Sequence, residues 1–554
     1  MTTANPSEDA DAIAALDTLF QRWNRSDAPG AIVGVAHRGV PIYRRGFGLA
    51  SIEHGTANTP RTRMRIGSTS KHFASLAALL LAEDGKLDID APLRTYLPEL
   101  SGIAGTPTLR QLMQHSGGLR DPYDLPGVLM CGRYLTSMPA GTCLELSQRF
   151  TGENFAPGER MIYCNNGYHL LSLVVERIGG LPFAEFLRER IFVPLALHDT
   201  MLLESDMTIV PNIATFHQPQ ADGGWRRGIY PVEELLGSGG MVSTIDDMLR
   251  WLAHLRGDKK VGSAQTWRQM LERARYSSGA SGDYGLGLTR ETYRGVEIIH
   301  HAGAVLGCTC QMLTVPAHEL DIIVIFNRMD GPAPATALKI VDAVLANAGL
   351  SEPPAPVGSE GRDALLGYWH SATSQRLFGI AMQTLPERAP GLALSIHGQV
   401  AGMLEATADG LRMVSPAHGT VEVCEPAAGT ERPQQLDFID SGHRERFTRL
   451  PDARPDPATL AAALVGRYHY AEFDREFDIV FDDGALYLDL RPSYGQSRLK
   501  LDPLSDDVCL YTLTGNFPVA VPTTGSLTVA RDGPRVTGLW LNVMRTRNLW
   551  LERR

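Results

Sequence analysis

The chain has 554 residues, is 44% apolar and 21% charged, and carries a net charge of −10. That length excludes one compact core and points to roughly two to four domains. The acidic balance, with no long basic run, excludes a nucleic-acid or anionic-membrane partner, and no apolar run approaches the roughly 20 residues of a membrane span.

Met1 to Asp9 is acidic and polar, with neither the basic nor the apolar region of a secretory signal. Seven cysteines are scattered at 131, 143, 164, 308, 310, 424 and 509. Their odd number and spacing suit neither a disulfide framework nor a zinc site. A reducing, cytoplasmic setting is expected.

Residues 11–24 read as a helix with Ile13, Leu16, Phe20 and Trp23 on one stripe. Residues 31–36 and 41–50 read as two strands joined by a turn. A helix then opens at Gly67-Ser68-Thr69-Ser70-Lys71, with Phe73, Leu76, Ala77 and Leu80 on one face and Gly85 at its end. A short helix ends in His115-Ser116-Gly117-Gly118, and residues 120–160 are irregular. Tyr163-Cys164-Asn165 precedes an apolar helix, so a helical subdomain inserted in an α/β one is expected. Ser243-Thr244-Ile245-Asp246 starts another helix. Three closely spaced strands, 296–305, 310–315 and 320–326, predict an antiparallel sheet. A helix around residues 337–348 closes this part.

Ser351 to Gly358 is a proline-rich linker, and beyond it short alternating segments replace helices. Leu365-Leu366-Gly367-Tyr368-Trp369 is echoed by Leu464-Val465-Gly466-Arg467-Tyr468, each after a proline-containing linker. Two related β-domains follow from this repeat. The division is 1–350, 358–450 and 458–554.

The chemistry lies in three short motifs. Ser68 and Lys71 sit at i and i+3, where a serine hydroxyl and a lysine amine share one space. A hydroxyl needs a base to become a nucleophile, and a desolvated lysine supplies one. Alone, the pair also reads as a capping serine and a solvated lysine. Tyr163-Cys164-Asn165 and His301-Ala302-Gly303 supply further polar groups, with Cys164 turned away into packing.

In the order Ser-x-x-Lys, Tyr-x-Asn, His-x-Gly, these motifs resemble the penicillin-recognising serine hydrolases, which include the class C β-lactamases. Leu112 to Leu119, Phe155-Ala156-Pro157-Gly158, Leu236 to Met241 and Tyr284-Gly285-Leu286-Gly287 resemble the family too. The likeness covers roughly residues 25–345. The His-x-Gly triplet and the two-domain tail are most similar to the bacterial D-aminopeptidase branch.

The resemblance implies a multidomain α+β fold, with a β-lactamase-like catalytic domain of antiparallel sheet and helices followed by two antiparallel β-barrels. It implies an acyl-enzyme on Ser68, with Lys71 or ionised Tyr163 as base. The oxyanion hole would be the N–H groups of Ser68 and Ala304. Asn165 would orient Lys71 and substrate, and His301 would meet Tyr163 or substrate. Gly303, Arg491 and Arg498 would bind substrate, the two arginines from a last-domain loop over 491–500. That loop has no acid to meet a substrate ammonium, which favours a substrate carboxylate or a polar acyl group. The implied substrate is a small peptide or amide, without metal or organic cofactor, in a homodimer. An esterase or β-lactamase-like hydrolase on this scaffold is the alternative, and a non-catalytic sensor the third reading.

Overall fold

The structure is a computed structural model. It describes residues 6–124, 140–229, 235–353, 355–385, 389–407, 410–426, 432–490, 497–515, 524–543 and 545–554. The chain forms two compact units. The first holds residues 1–91, 168–274 and 283–353; the second holds 92–167, 275–282 and 354–554.

The first unit is built on one antiparallel sheet of six strands. They are β1 (Ala31–His37), β2 (Val40–Phe47), β3 (Thr289–Tyr293), β4 (Val296–Val305), β5 (Cys308–Val315) and β6 (Leu320–Phe326), in the order β3-β4-β5-β6-β1-β2. The central strands β1 and β6 are buried at nearly every position. Their continuous apolar runs fit a sheet covered on both faces. On one face Leu16 and Phe20 of helix Pro6–Phe20 and Ala337, Ile340 and Val341 of helix Ala333–Val344 share a core with Val33 and Val324. On the other, Ile245 and Leu249 of helix Ile245–Arg256 lie 3.1 Å from where a Cβ on Gly34 would stand, tighter than an ordinary van der Waals contact. Full burial of each large apolar side chain contributes about 1.5–3 kcal/mol. Thr244, not Ser243, caps that last helix, accepting from Asp247 N.

Edge strand β3 escaped the periodicity because Thr289–Tyr293 is half-exposed and only five residues long. A second small sheet was also not expected. Met241–Ser243 runs between Met64–Arg65 and Met201–Leu202. It fixes the approach to Ser68, since Arg65 pairs with Val242 and Ile66 N donates to Met241 O at 3.0 Å. The Arg65 side chain, fully buried, is neutralised by Asp206 at 2.6 Å.

The second unit contains two closed eight-stranded antiparallel barrels, spanning Gly367–Arg449 and Gly466–Arg553. The sequence echo marks the same device in each. Trp369 and Tyr468 are fully buried core aromatics. Trp369 Nε1 donates to Leu365 O at 3.0 Å, and Tyr468 Oη to Leu464 O at 2.8 Å. An arginine from the last strand lies over each ring, Arg449 at 4.3 Å from Trp369 and Arg553 at 5.9 Å from Tyr468. Each also donates to the chain before the echo glycine: Arg449 to Leu366 O at 2.6 Å, Arg553 to Val465 O at 3.0 Å. A duplicated glycine, aromatic and arginine plug is stronger evidence of a repeat than the five-residue pattern alone.

Residues 92–167 join the barrels rather than the sheet unit. Buried polar pairing ties this segment there. Arg120 meets Glu472 at 2.8 Å and donates to Asn548 O at 2.7 Å. Asp124 meets Arg545 at 2.5 Å. Single residues of this kind leave no periodic trace in a sequence.

Candidate active site

Ser68 lies in the 3-10 turn Gly67–Ser70, which leads directly into the α-helix Lys71–Glu83. Gly67 has φ +53°, and a Cβ there would stand 2.6 Å from Ala304 N. Gly303 meets the turn from the other side: a Cβ on it would stand 1.9 Å from Ile66 O. Only glycine at both positions lets the serine turn touch the backbone of β4. Gly303 is itself buried, so its place in the structure is to admit this contact. Thr69 Oγ1 adds a hydrogen bond to His301 O at 3.2 Å. Ala304 is exposed beside the half-exposed Ser68.

Lys71 is fully buried. Its Nζ donates to Ser68 Oγ at 3.1 Å and to Ser238 O at 2.5 Å, and lies 5.3 Å from the centre of the Tyr168 ring. The Leu236–Gly239 turn brings the Ser238 carbonyl there. Its closeness depends on Gly237, where a Cβ would stand 2.6 Å from both Ala74 Cβ and Ser172 Oγ. The next residue, His72, is stacked on Trp251 at 4.9 Å, and burial drives its ring far toward the neutral form.

His301 is 4% exposed. Its Nδ1 lies 2.5 Å from Ala302 O. A carbonyl only accepts, so Nδ1 carries the proton and Nε2 accepts from Tyr284 Oη at 2.8 Å. Burial, aided by the nearby Lys71 charge, pushes the His301 pKa down to about 3. The imidazole is therefore neutral at physiological pH. Tyr284 also shares a hydrogen bond with Tyr168, and Ser75 Oγ lies 3.3 Å from Tyr168 Oη. Burial raises the Tyr168 phenol. The result is a chain of neutral groups, Ser75, Tyr168, Tyr284 and His301, beneath the Ser68–Lys71 pair. Tyr284 supplies a phenol to the His301 ring.

Tyr163 and Asn165 belong to the second unit. The Tyr163 ring lies 3.9 Å from the His115 ring, and its N–H donates to Ala417 O of the first barrel at 2.9 Å. His115, at φ +58°, accepts from Cys164 N on Nδ1 at 3.1 Å. Cys164 is buried and its thiol is pushed upward by that burial, as a packing residue requires. Asn165 begins the helix Asn165–Gly179 and donates its N–H to Asp121 Oδ2 at 2.9 Å. Fully buried Asp121 faces Arg545 at 3.6 Å. The second barrel thus braces the Tyr163–Asn165 segment through Arg545, Thr546 and Arg547.

The 491–500 loop lies partly outside the described residues. Arg491 lies outside the described residues. Arg498 sits on strand Ser497–Pro503, 2.7 Å from Asp482 and 3.8 Å from Asp489. Two carboxylates from the preceding strands therefore face it. Among the described residues no group of His, Cys, Asp or Glu is arranged to hold a metal, and no helix is long and apolar enough to cross a membrane.

Sequence reasoning missed Tyr284, Ser238, His115, Tyr168 and Arg545. The first three fall inside phrases that marked the family without revealing their roles. Tyr168 and Arg545 carry no local signal.

A family model described as Beta-lactamase matches residues 16–347. The chain belongs to the β-lactamase family. This β-lactamase-family chain is 28% identical over 547 residues to a D-aminopeptidase of Brucella canis, covering 95% of this chain and 94% of that one. It is 27% identical over 558 residues to a D-aminopeptidase of Cereibacter sphaeroides, covering 98% and 97%. Among solved structures, the octameric penicillin-binding protein homologue from Pyrococcus abyssi matches with a TM-score of 0.54 at 17% identity, covering 98% of this chain and 99% of that one. The D-amino acid amidase from Ochrobactrum anthropi SV3, complexed with L-phenylalanine amide, matches with a TM-score of 0.51 at 23% identity, over 61% of this chain and 98% of that one. The structural matches establish the fold.

Proposed function

We propose that the chain is a serine hydrolase working through an acyl-enzyme, a D-stereospecific aminopeptidase or amidase on small peptides or amides. The observation that carries this reading is the fully buried Lys71 Nζ, 3.1 Å from a half-exposed Ser68 Oγ, in a turn against Ala304. Once its ammonium has released a proton, Lys71 accepts the Ser68 proton as Oγ attacks the substrate carbonyl. The oxyanion is met by the N–H groups of Ser68 and Ala304. The amine leaves with a proton, and water releases the acid from Ser68. Tyr163 and Asn165 complete the machinery from their own motif, as proton relay and amide-orienting group. His301, neutral and held by Tyr284, acts as a polar wall without a charge of its own. Preference for D-residues rests on the D-aminopeptidase relatives, which match nearly end to end. The catalytic part is 1–350 and the barrels 358–450 and 458–554. The scattered thiols fit a reducing, cytoplasmic setting, and a homodimer is part of the proposed reading.

The test is a substrate panel of D-alanine p-nitroanilide, L-alanine p-nitroanilide, a p-nitrophenyl ester and a chromogenic cephalosporin. D-selective anilide turnover, lost in Ser68→Ala, is expected. Ester or cephalosporin turnover without any anilide turnover would instead make it an esterase or a β-lactamase.

A further inference from the structure

A second polar cavity, of about 130 Å³, lies wholly within the second unit. Glu159 and Arg160 line it from the segment before Tyr163, Arg376 from the first barrel, and Arg547 and Asn548 from the second. Arg376, 1% exposed, pairs with Asp440 at 2.6 Å and with Glu445. Arg160 pairs with Glu159 and with Asp440 at 3.3 Å. Arg547 differs from both.

Arg547 is 3% exposed, and its side chain makes no ion pair among the described residues; its buried Nε has no hydrogen-bond partner either. Its backbone is held, the N–H by Asn154 Oδ1 at 2.7 Å and the carbonyl by Arg120 at 3.2 Å. Burial, with repulsion from Arg376, pushes the guanidinium down to about 9. Asp440 and Glu445 act on it only across a distance, their direct ion pairs being with Arg376, and a buried cation without a direct partner is costly. Next to it, Asn548 Oδ1 is a buried acceptor without a donor, on a residue held at φ +57°.

The charges around the cavity already balance. Arg160, Arg376 and Arg547 stand against Glu159, Asp440 and Glu445. A bare anion would satisfy Arg547 but leave the site net negative, and a bare cation would do the reverse. A ligand carrying one carboxylate and one ammonium matches the unpaired donor and the unpaired acceptor without adding net charge. The volume limits it to a small molecule.

We propose that this cavity binds a small free α-amino acid as its zwitterion, with the carboxylate on Arg547 and the ammonium directed to Asn548 Oδ1 and Glu159. None of the residues lining the cavity belongs to the Ser68 turn, and the proposal does not depend on the reading of that residue.

Calorimetric titration of the full-length protein near pH 7 tests it, with glycine, acetate, methylammonium and inorganic phosphate as probes. Glycine is expected to bind saturably at one site per chain, acetate at least about tenfold more weakly, and methylammonium and phosphate not measurably. Glycine affinity is expected to fall at least about tenfold in Arg547→Met and in Asn548→Leu. Glycine bound at the Ser68 centre would survive Arg547→Met, so an unchanged isotherm in that variant overturns the proposal. Absence of saturable glycine binding overturns it too, as does acetate or phosphate binding as tightly as glycine. If the variants do not fold, the ranking of the four probes on the parent protein decides.

Discussion

His301 is held in one tautomer by two partners of opposite kind, a carbonyl at Nδ1 and the Tyr284 hydroxyl at Nε2. Replacing Tyr284 by Phe removes the donor and leaves a buried acceptor unsatisfied, a loss of about 1–3 kcal/mol. Tyr284→Phe is therefore expected to lower the thermal midpoint and to cut kcat roughly tenfold. The pH profile should acquire no new ionisation between pH 6 and 8, since His301 stays neutral there; an unchanged kcat would show that the ring needs no such anchor. For Lys71 the expectation is sharper. Lys71→Met removes the group nearest Ser68 Oγ, and kcat/KM should fall by about 10²–10⁴, with KM changing less than kcat. Steady-state kinetics on the D-anilide reads this directly.

At the scale of elements, the serine turn and β4 meet through two glycines. Gly303→Ala would drive a methyl into Ile66 O, which stands 1.9 Å from the ideal Cβ. Strand and turn must part, so activity should drop more than about a hundredfold while helix content holds, with a stability loss above about 2 kcal/mol. Circular dichroism and kinetics on one preparation check this; full activity would mean the contact is not needed. The sequence made these elements legible where period and burial agree. β4, β5 and β6 and the closing helix were visible because each is a long apolar run or stripe. Both barrels were visible because turns punctuate short strands and the first turn repeats. β3 and the small sheet around Met241–Ser243 were not, since two to five residues carry no period. Ser68, Lys71 and His301 were legible as motif residues. Tyr284 and Arg545 were not, because their partners are His301 and Asp124, reached only through the fold.

On the scale of the molecule, the family match ends at residue 347, but the segment carrying Tyr163 and Asn165 belongs to the unit that contains the barrels. A chain ending at residue 353 would lose Arg545, Glu472 and Ala417 and expose the buried Asp121. It is expected to be inactive and to aggregate, as judged by size-exclusion chromatography and D-anilide turnover; a soluble, active fragment would contradict this. Buried histidines set a second whole-chain property. His301 and His418, each 4% exposed, have pKa values pushed down to about 3. Below pH 6.5 the unfolded chain binds protons at these sites that the native one refuses, so stability is lost as pH falls from about 6.5 toward 3. At pH 5 each costs about 2 kcal/mol. The thermal midpoint should therefore fall steadily from pH 7 to pH 5, and less steeply in a His301→Gln, His418→Gln double variant. A midpoint flat with pH in the parent would refute the neutral-histidine assignment.

The central claim is that Ser68 carries the acyl group. The direct measurement is intact-protein and peptide mass spectrometry after rapid acid quench with D-alanine p-nitroanilide, or after labelling by a fluorophosphonate. The account predicts one covalent adduct, mapped to Ser68, absent in Ser68→Ala and slowed at least about a hundredfold in Lys71→Met. An adduct on another residue, or undiminished turnover in Ser68→Ala, would contradict it.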